Sequence, residues 1–256
     1  MRISRHDLDV INQRLEGEST ESILGWVHRI FGPHAAILSS MQKAGAALCH
    51  VANGANLAFD VVFVDTGVLH QETLWTRDEL ARTHQHLKVV TLSPEQSFVE
   101  QTKSLGLLYL SREGQEQCCD LRKSEPLRAI RGRYHAFVSA LRRQEGGARS
   151  RIRTVDLDEE MGALRVHPMA DWSNDDLQRY LAENSGVALN PLHSMGFPTI
   201  GCFPCTTPVR PDEPERAGRW RHLAGVEYCG INPTDRGSGE PSVELDDRYR
   251  SALALG

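Results

Sequence analysis

The 256-residue sequence lacks the features that mark a membrane or secreted protein. No apolar run approaches the roughly 20 residues that a membrane-spanning helix requires, so we expect no membrane partner. The segment from Met1 to Asp9 carries charges and has no apolar core, which argues against a secretory signal. Internal repeats and low-complexity tracts are also missing, so nothing indicates a repeat architecture. We therefore expect a cytoplasmic protein whose cysteine thiols are reduced.

The net charge of −5 hides an uneven distribution of charged residues. Between Arg112 and Arg153 there are 11 Lys and Arg residues against 5 Asp and Glu residues, although the whole chain is acidic. A basic stretch in an acidic protein favours a compact anionic ligand over a long nucleic acid, so we expect no nucleic-acid partner. A solvated helix face rich in arginine would give the same pattern, and charge alone does not distinguish the two.

Short apolar runs alternate with helical patterns along the chain. The clearest predicted strands are residues 35–38, 61–64 and 87–92, and a helix is predicted over residues 72–83 between the last two. This alternation predicts an α/β fold with a mostly parallel, doubly wound sheet that is covered on both faces. We expect three parts, namely an N-terminal helical segment, a nucleotide-binding and metal-binding α/β domain and an irregular C-terminal extension: residues 1–34, 35–210 and 211–256.

Two polar loops follow predicted strands. They are Ser39-Ser40-Met41-Gln42 and Asp65-Thr66-Gly67. Open parallel sheets bind ligands beyond the carboxyl ends of their strands, where hydroxyls and backbone N–H groups hold phosphate or an adenine edge. The same residue types are common in turns and helix caps, so neither loop is specific on its own.

Four of the six cysteines form two close pairs, Cys118-Cys119 and Cys202-x-x-Cys205. Zinc sites usually space their ligands by two to four residues, which the adjacent pair does not satisfy. A cubane iron–sulfur cluster is large enough for neighbouring side chains, because each of its four irons takes one thiolate. A four-cysteine zinc site, a redox CxxC motif and two unrelated buried pairs remain open alternatives.

The two remaining cysteines differ in their surroundings. Cys49 lies in an apolar run and is expected in the core. Cys229 lies beside Gly230 outside any apolar run, and is either a nucleophile or a surface thiol. Arg216 and Arg219 precede it and would lower the pKa of its thiol or pair with an anion.

Five motifs in one order resemble the assimilatory sulfonucleotide reductases, and specifically the iron–sulfur type that reduces adenosine 5'-phosphosulfate. The resemblance extends from about Ile37 to Asn232. The motifs span residues 118–127, 171–176, 190–206, 216–220 and 229–231. One difference from the family pattern is Gln42, which stands where the family usually has glycine, and another is Asn232, which replaces the usual histidine.

The resemblance implies an oxidoreductase with an adenine-nucleotide α-hydrolase-like fold and a [4Fe-4S] cluster. The implied cluster ligands are Cys118, Cys119, Cys202 and Cys205. The implied contacts to the phosphosulfate are Lys123, Arg216 and Arg219, with Arg142 and Arg143 in the basic pocket. The nucleotide is implied to lie over the two polar loops, formed by Ser39, Ser40, Asp65, Thr66 and Gly67.

The implied reaction begins when the Cys229 thiolate attacks the sulfate sulfur and AMP leaves, which produces an S-sulfocysteine. A thioredoxin or glutaredoxin-type dithiol then releases sulfite, for sulfate assimilation and cysteine biosynthesis. The two cysteine pairs favour adenylyl sulfate, because family members without them generally use the 3'-phosphorylated nucleotide.

Three alternative functions remain. The first is reduction of 3'-phosphoadenosine 5'-phosphosulfate. The second is a divergent paralogue that adenylates or thiolates another molecule, which the lack of a Ser-Gly-Gly loop around Ser39 disfavours. The third is a zinc module without catalytic activity. A homo-oligomer is also left open.

Overall fold

The computed structural model describes residues 2–223, 225 and 243–253. Six strands form the central sheet in the order β4-β3-β2-β5-β7-β6, and the remaining two, β1 and β8, pair antiparallel with each other. The strands are β1 Arg2–Ile3, β2 Ala35–Leu38, β3 Phe59–Val64, β4 Leu87–Leu92, β5 Ala136–Val138, β6 Val155–Asp158, β7 Ala163–Val166 and β8 Val243–Glu244. The first five strands of this order run parallel, and β6 joins the edge antiparallel to β7.

Helices connect the parallel strands and cover the sheet. They are α1 Arg5–Leu15, α2 Thr20–Phe31, α3 Lys43–Gly54, α4 Gln71–Thr83, α5 Phe98–Leu105, α6 Arg112–Cys119, α7 Glu125–Arg128, α8 Asn174–Glu183 and α9 Arg250–Leu253. Serine N-caps begin α1, α5 and α8, and each forms a reciprocal capping box with an acidic side chain three residues later. No helix among the described residues is both long and apolar enough to cross a bilayer.

Alternate residues of the central strands face two separate hydrophobic clusters. In β2, Ile37 packs in the larger cluster and Ala36 in the smaller one; in β3, the same division separates Val61 from Val62. Successive side chains of a strand point to opposite faces, so this division shows that both faces of the sheet are buried. The predicted doubly wound α/β sheet is therefore confirmed.

The strand predicted at residues 35–38 has the same bounds in the structure. The strand predicted at residues 61–64 begins two residues earlier, at Phe59. Helices α1 and α2 bury apolar side chains in the larger cluster, which also contains side chains of the central sheet. From 184 to 223, all of which is described, the chain has only short 3₁₀ turns and isolated bridges, whereas residues 243–253 contain β8 and α9. The division at residues 34 and 210 stays a prediction.

The antiparallel pair β6–β7 was not expected from the sequence. Arg165 of β7 donates from Nε to the Asp158 Oδ2 of β6 at 2.6 Å, and both side chains are almost fully buried. The Arg165 guanidinium also lies 5.2 Å from the centroid of the Phe137 ring. This buried ion pair explains how two charged residues are accommodated in the interior of a sheet.

We predict that Asp158→Ala lowers the free energy of unfolding by about 3–5 kcal/mol, because it leaves the buried Arg165 guanidinium without its carboxylate. Urea denaturation measures this change. The matched control is Asp9→Ala, which removes the exposed pair with Arg153 (2.7 Å) and is expected to cost less than about 1 kcal/mol. Equal losses in the two variants would contradict the prediction.

Candidate active site

A cavity of about 510 Å³ opens at the carboxyl ends of β2, β3 and β5. Each of these strands contributes the residues that follow it, namely Ser39 and Ser40 after β2, Thr66 after β3, and the 139–142 segment after β5. Cavities of this size accept a small-molecule ligand, and this edge of an open parallel sheet is where such ligands bind. The cavity is therefore the candidate ligand site.

The loop after β2 approaches α3 very closely. The Ser39 hydroxyl accepts a hydrogen bond from the Met41 backbone N–H at 3.2 Å, and Met41 has a φ of 56°. A Cβ atom at Gly45, in the first turn of α3, would lie 2.7 Å from Ser39 Oγ. Glycine at this position therefore lets the first turn of the helix pack against the loop.

Two side chains connect this loop to the segment that leads to Cys202. Gln42 accepts a hydrogen bond from the Ile200 backbone N–H at 2.8 Å and donates to Ser40 Oγ at 3.1 Å. His193 Nε2 accepts from the Lys43 backbone N–H at 3.2 Å, and Nδ1 faces the Phe197 carbonyl at 2.8 Å. Since Nε2 accepts, Nδ1 carries the proton and donates. These bonds hold two walls of the cavity together.

Basic side chains line the same cavity. They are Lys43, Lys123, Arg142, Arg149, Arg216 and Arg219. The Arg219 guanidinium lies 4.3 Å from the centroid of the Trp220 ring and donates to the Ile200 carbonyl at 3.2 Å. A Cβ atom at Gly201 would collide with this guanidinium, so a larger residue there would displace the Arg219 side chain. The wall is suited to an anionic ligand.

A second, much smaller cavity of about 20 Å³ is lined by all four paired cysteines. Lys123, Cys202 and Trp220 line both this cavity and the larger one, so the two are separated by a single layer of side chains. Directly after Cys119 the chain forms a π-helical turn, Asp120–Ser124, which widens the backbone at this point. Because all four cysteines line this cavity, folding brings together two cysteine pairs that are far apart in the sequence.

Burial raises the pKa of two of these thiols, Cys205 and Cys118. The pKa of Cys205 is raised to about 12, first by burial and then by charge repulsion from the neighbouring Cys202, Cys119 and Cys118, against the opposing charge of Lys123. Burial also raises the pKa of Cys118, against a hydrogen bond from Gln101 and the charges of Arg122 and Lys123. Raised pKa values keep these groups as neutral thiols near neutral pH, and a bound metal cation would be needed to stabilise them as thiolates.

The donor set of the small cavity suits a metal–sulfur centre. Within the described residues, no group of three or more His, Cys, Asp or Glu side chains is placed to hold a single metal ion. Four sulfurs around one enclosed space fit a centre with several metals, in which each sulfur binds a different atom. Polar side chains already contact these sulfurs: Thr66 Oγ1 lies at hydrogen-bond distance from Cys202 Sγ, 3.3 Å away.

Seven of the ten predicted substrate-binding residues line the larger cavity: Ser39, Ser40, Thr66, Lys123, Arg142, Arg216 and Arg219. The others have different partners. Asp65 accepts from the Gly67 backbone N–H at 2.9 Å and lies 3.8 Å from Arg77, and Arg143 pairs with Asp171. The predicted nucleophile Cys229 lies outside the described residues, as does Asn232. All these roles stay predictions.

Four residues of the site were not predicted from the sequence: Gln101, Gln115, Arg122 and His193. Arg122 and His193 lie inside the motifs at residues 118–127 and 190–206, but nothing in their spacing indicates what they bind. Gln101 and Gln115 had no sequence signal that set them apart from the other polar residues of their helices.

The mostly parallel sheet, with its cavity at the strand ends, defines a doubly wound α/β protein with a ligand site at the carboxyl edge of the sheet. The same fold occurs in the crystal structure of phosphoadenylyl-sulfate reductase from Candida auris in its phosphate complex. The TM-score is 0.67 at 22% identity, over 80% of this chain and 98% of that one.

Residues 34–208 match the model of the phosphoadenosine phosphosulfate reductase domain, and the chain belongs to this family. It is 38% identical over 220 residues to a Streptomyces coelicolor protein named adenosine 5'-phosphosulfate reductase, covering 86% of this chain and 91% of that protein. It is 33% identical to adenosine 5'-phosphosulfate reductase 1 of Bacillus subtilis, covering 82% and 89% respectively. The resemblance found in the sequence is confirmed, and the family is one of enzymes.

We predict that His193 makes stability depend on pH. Burial lowers the pKa of His193 from 6.5 to about 4, so the folded state holds the neutral imidazole. Between these two values the unfolded state binds a proton that the folded state does not. The stabilisation is therefore complete above 6.5 and is lost as the pH falls toward 4, by about 3 kcal/mol at most.

The measurement is urea unfolding of the wild type and of His193→Gln across this pH range. Glutamine stays neutral, so the difference in unfolding free energy between the two proteins should shrink as the pH falls. The other buried histidines are present in both proteins, so their contributions cancel in this difference and only that of His193 remains. A difference that is constant with pH would contradict the prediction.

Proposed function

We propose that the protein reduces adenosine 5'-phosphosulfate to sulfite and AMP in sulfate assimilation. The observation that carries the proposal is the wall between the two cavities, where Lys123 and Cys202 line both a basic ligand site and a four-thiol site. Relatives named adenosine 5'-phosphosulfate reductase support it, since two of them align with 79% and 86% of the chain. We place the reaction in the cytoplasm, where dithiol reductants are available.

The large cavity would hold the nucleotide in two parts. The loop at Ser39 and Ser40, beside the N-terminus of α3, would hold the adenosine, since it offers hydroxyls and backbone donors. The phosphosulfate would lie against Lys123, Arg216 and Arg219, because its phosphate and sulfate are both anionic. This orientation brings the reacting sulfur to the end of the cavity next to Cys202.

The first step of the proposed reaction is attack by the Cys229 thiolate on the sulfate sulfur. A sulfur–sulfur bond forms, the sulfur–oxygen bond to the phosphate breaks, and AMP leaves with the electron pair of that bond. Lys123 and the two arginines would neutralise the charge that develops on the departing phosphate oxygen. The product on the protein is an S-sulfocysteine.

The second step restores the thiol. A thiolate of a thioredoxin or glutaredoxin-type dithiol attacks the Cys229 sulfur, and sulfite leaves with the electron pair of the sulfur–sulfur bond. The second thiol of the dithiol then displaces Cys229 and closes a disulfide within the reductant. The reductant supplies both electrons, so no other redox partner is needed.

We propose that Cys118, Cys119, Cys202 and Cys205 hold a [4Fe-4S] cluster. When bound, the cluster supplies a charged centre that acts on the electrostatics of the substrate site. Lys123 is suited to transmit this effect, because it lines the cavity of the thiols and that of the ligand. Gly201 and Trp220 keep Arg219 in position at the same wall.

We predict that Cys229→Ser abolishes the release of AMP and sulfite, because serine is a far weaker nucleophile than a thiolate at neutral pH. An anaerobic assay with reduced thioredoxin measures both products, and mass spectrometry of the wild type without reductant should detect a sulfonate on Cys229. The matched control is Cys49→Ala, since burial raises the pKa of Cys49 to about 12 and leaves it inert. Normal turnover by Cys229→Ser would refute the assignment.

A second candidate substrate is the 3'-phosphorylated nucleotide, because the matched family and the Candida auris fold relative are both named for it. We predict that kcat/KM is at least about tenfold higher for adenylyl sulfate, since an extra phosphate without dedicated partners loses its hydration on binding. Parallel anaerobic assays with the two nucleotides measure this ratio. A preference for the phosphorylated substrate would overturn this choice while leaving the reaction type intact.

A further inference from the structure

Two glutamine side chains are buried beside the adjacent cysteines. Gln101 on α5 is 1% exposed and Gln115 on α6 is 2% exposed. Glutamine is seldom buried to this degree unless its carboxamide has hydrogen-bond partners. In both cases the carboxamide nitrogen faces a cysteine sulfur.

Gln115 and Cys119 lie four residues apart on α6, which places their side chains on one face of the helix. Gln115 Nε2 donates to Cys119 Sγ at 3.1 Å. Donor and acceptor belong to the same helix, so this bond does not depend on how α6 packs against another element. It aims a donor at Cys119 before any metal binds.

Gln101 reaches Cys118 from a different helix, and Arg122 determines its orientation. Arg122 donates to Gln101 Oε1 at 2.9 Å, and a guanidinium can only donate. The opposite end of the carboxamide is therefore its N–H₂ group, which faces Cys118 Sγ at 3.6 Å. Arg122 is itself 3% exposed and also donates to the carbonyls of Thr66 and Gln96. The relay Arg122–Gln101–Cys118 is thus held rigidly.

We propose that Gln101 and Gln115 are positioning residues that donate N–H···S hydrogen bonds to the thiolates of Cys118 and Cys119. Adjacent side chains diverge from the backbone, so each sulfur of this pair needs its own partner to be held at a separate corner of one cluster. The donors also spread the negative charge of the two thiolates. The inference rests on the cluster assigned in the proposed function.

Removing either donor has defined effects. Without the hydrogen bond, more electron density returns to the thiolate, so its iron–sulfur bond strengthens and its stretching frequency rises. Because the thiolate charge is no longer shared with an N–H donor, the cluster is also easier to oxidise. We expect the cluster to be lost in air at least about 10-fold faster. Neither effect requires a change in the fold.

The test uses the full chain, purified without oxygen, as wild type, Gln101→Met and Gln115→Met. Methionine matches glutamine in length but has no N–H donor. The control is Gln117→Met, at an exposed position on the same helix. Gln115→His restores a ring N–H donor and should recover most of the wild-type behaviour. Circular dichroism checks that each variant is folded.

Three measurements are made on each protein. They are the iron and acid-labile sulfide content, the resonance Raman bands of the iron–sulfur bonds in H₂O and D₂O, and the rate of bleaching in air. In support of the inference, the two Met variants show raised frequencies, a smaller D₂O shift and faster bleaching, while Gln117→Met matches the wild type. A merely structural role would change stability but would not move the Raman bands.

Two outcomes would overturn the inference. If the Met variants keep wild-type Raman bands and bleaching rates, the glutamines do not act on the thiolates, and sulfite release by the wild type still supports the proposed reaction. If the wild type contains zinc and no sulfide, the cluster is wrong and the inference falls with it. Sulfite release from the same sample then decides separately whether the reaction stands.

Discussion

The burial of one cation, the Arg122 guanidinium, is the constraint on which the rest of the site depends. Burial lowers the pKa of Arg122, while the nearby Cys118, Cys202 and Asp65 raise it. Its N–H groups bind Gln101 and the carbonyls of Thr66 and Gln96. A desolvated charge is stable only when it is fully paired, so this one side chain fixes the loop after β3, the start of α5 and the cysteine pair relative to each other.

The order of Arg122 and Lys123 in the chain explains how the two cavities are coupled. Both belong to the π-helical turn that follows Cys119, where Arg122 is buried and Lys123 lines both cavities. A change of charge at the four thiols therefore alters the electrostatic potential at a ligand in the large cavity, which lies only one layer of side chains away. The low dielectric of a buried wall strengthens this effect.

Much of the fold could be predicted because apolar periodicity is a local property. Residues 35–38 and 87–92 were predicted as strands and have these bounds in the structure. The hairpin β6–β7 was missed, since its strands contain Asp158 and Arg165, whose burial depends on their mutual pairing. The strand order was also beyond the sequence, because it depends on which strands pair across long separations.

For the site, the sequence by itself determined the chemical groups: two cysteine pairs, a set of basic residues and the motifs of a reductase family. Only the tertiary structure decided which of them meet. In the structure, Arg143 pairs with Asp171 and does not line the cavity. His193 binds the N-terminus of α3, and Gln101 contacts Cys118. Spacing in a chain reports neighbours within a helix or strand, whereas contacts between distant segments follow from strand pairing and the burial of charge.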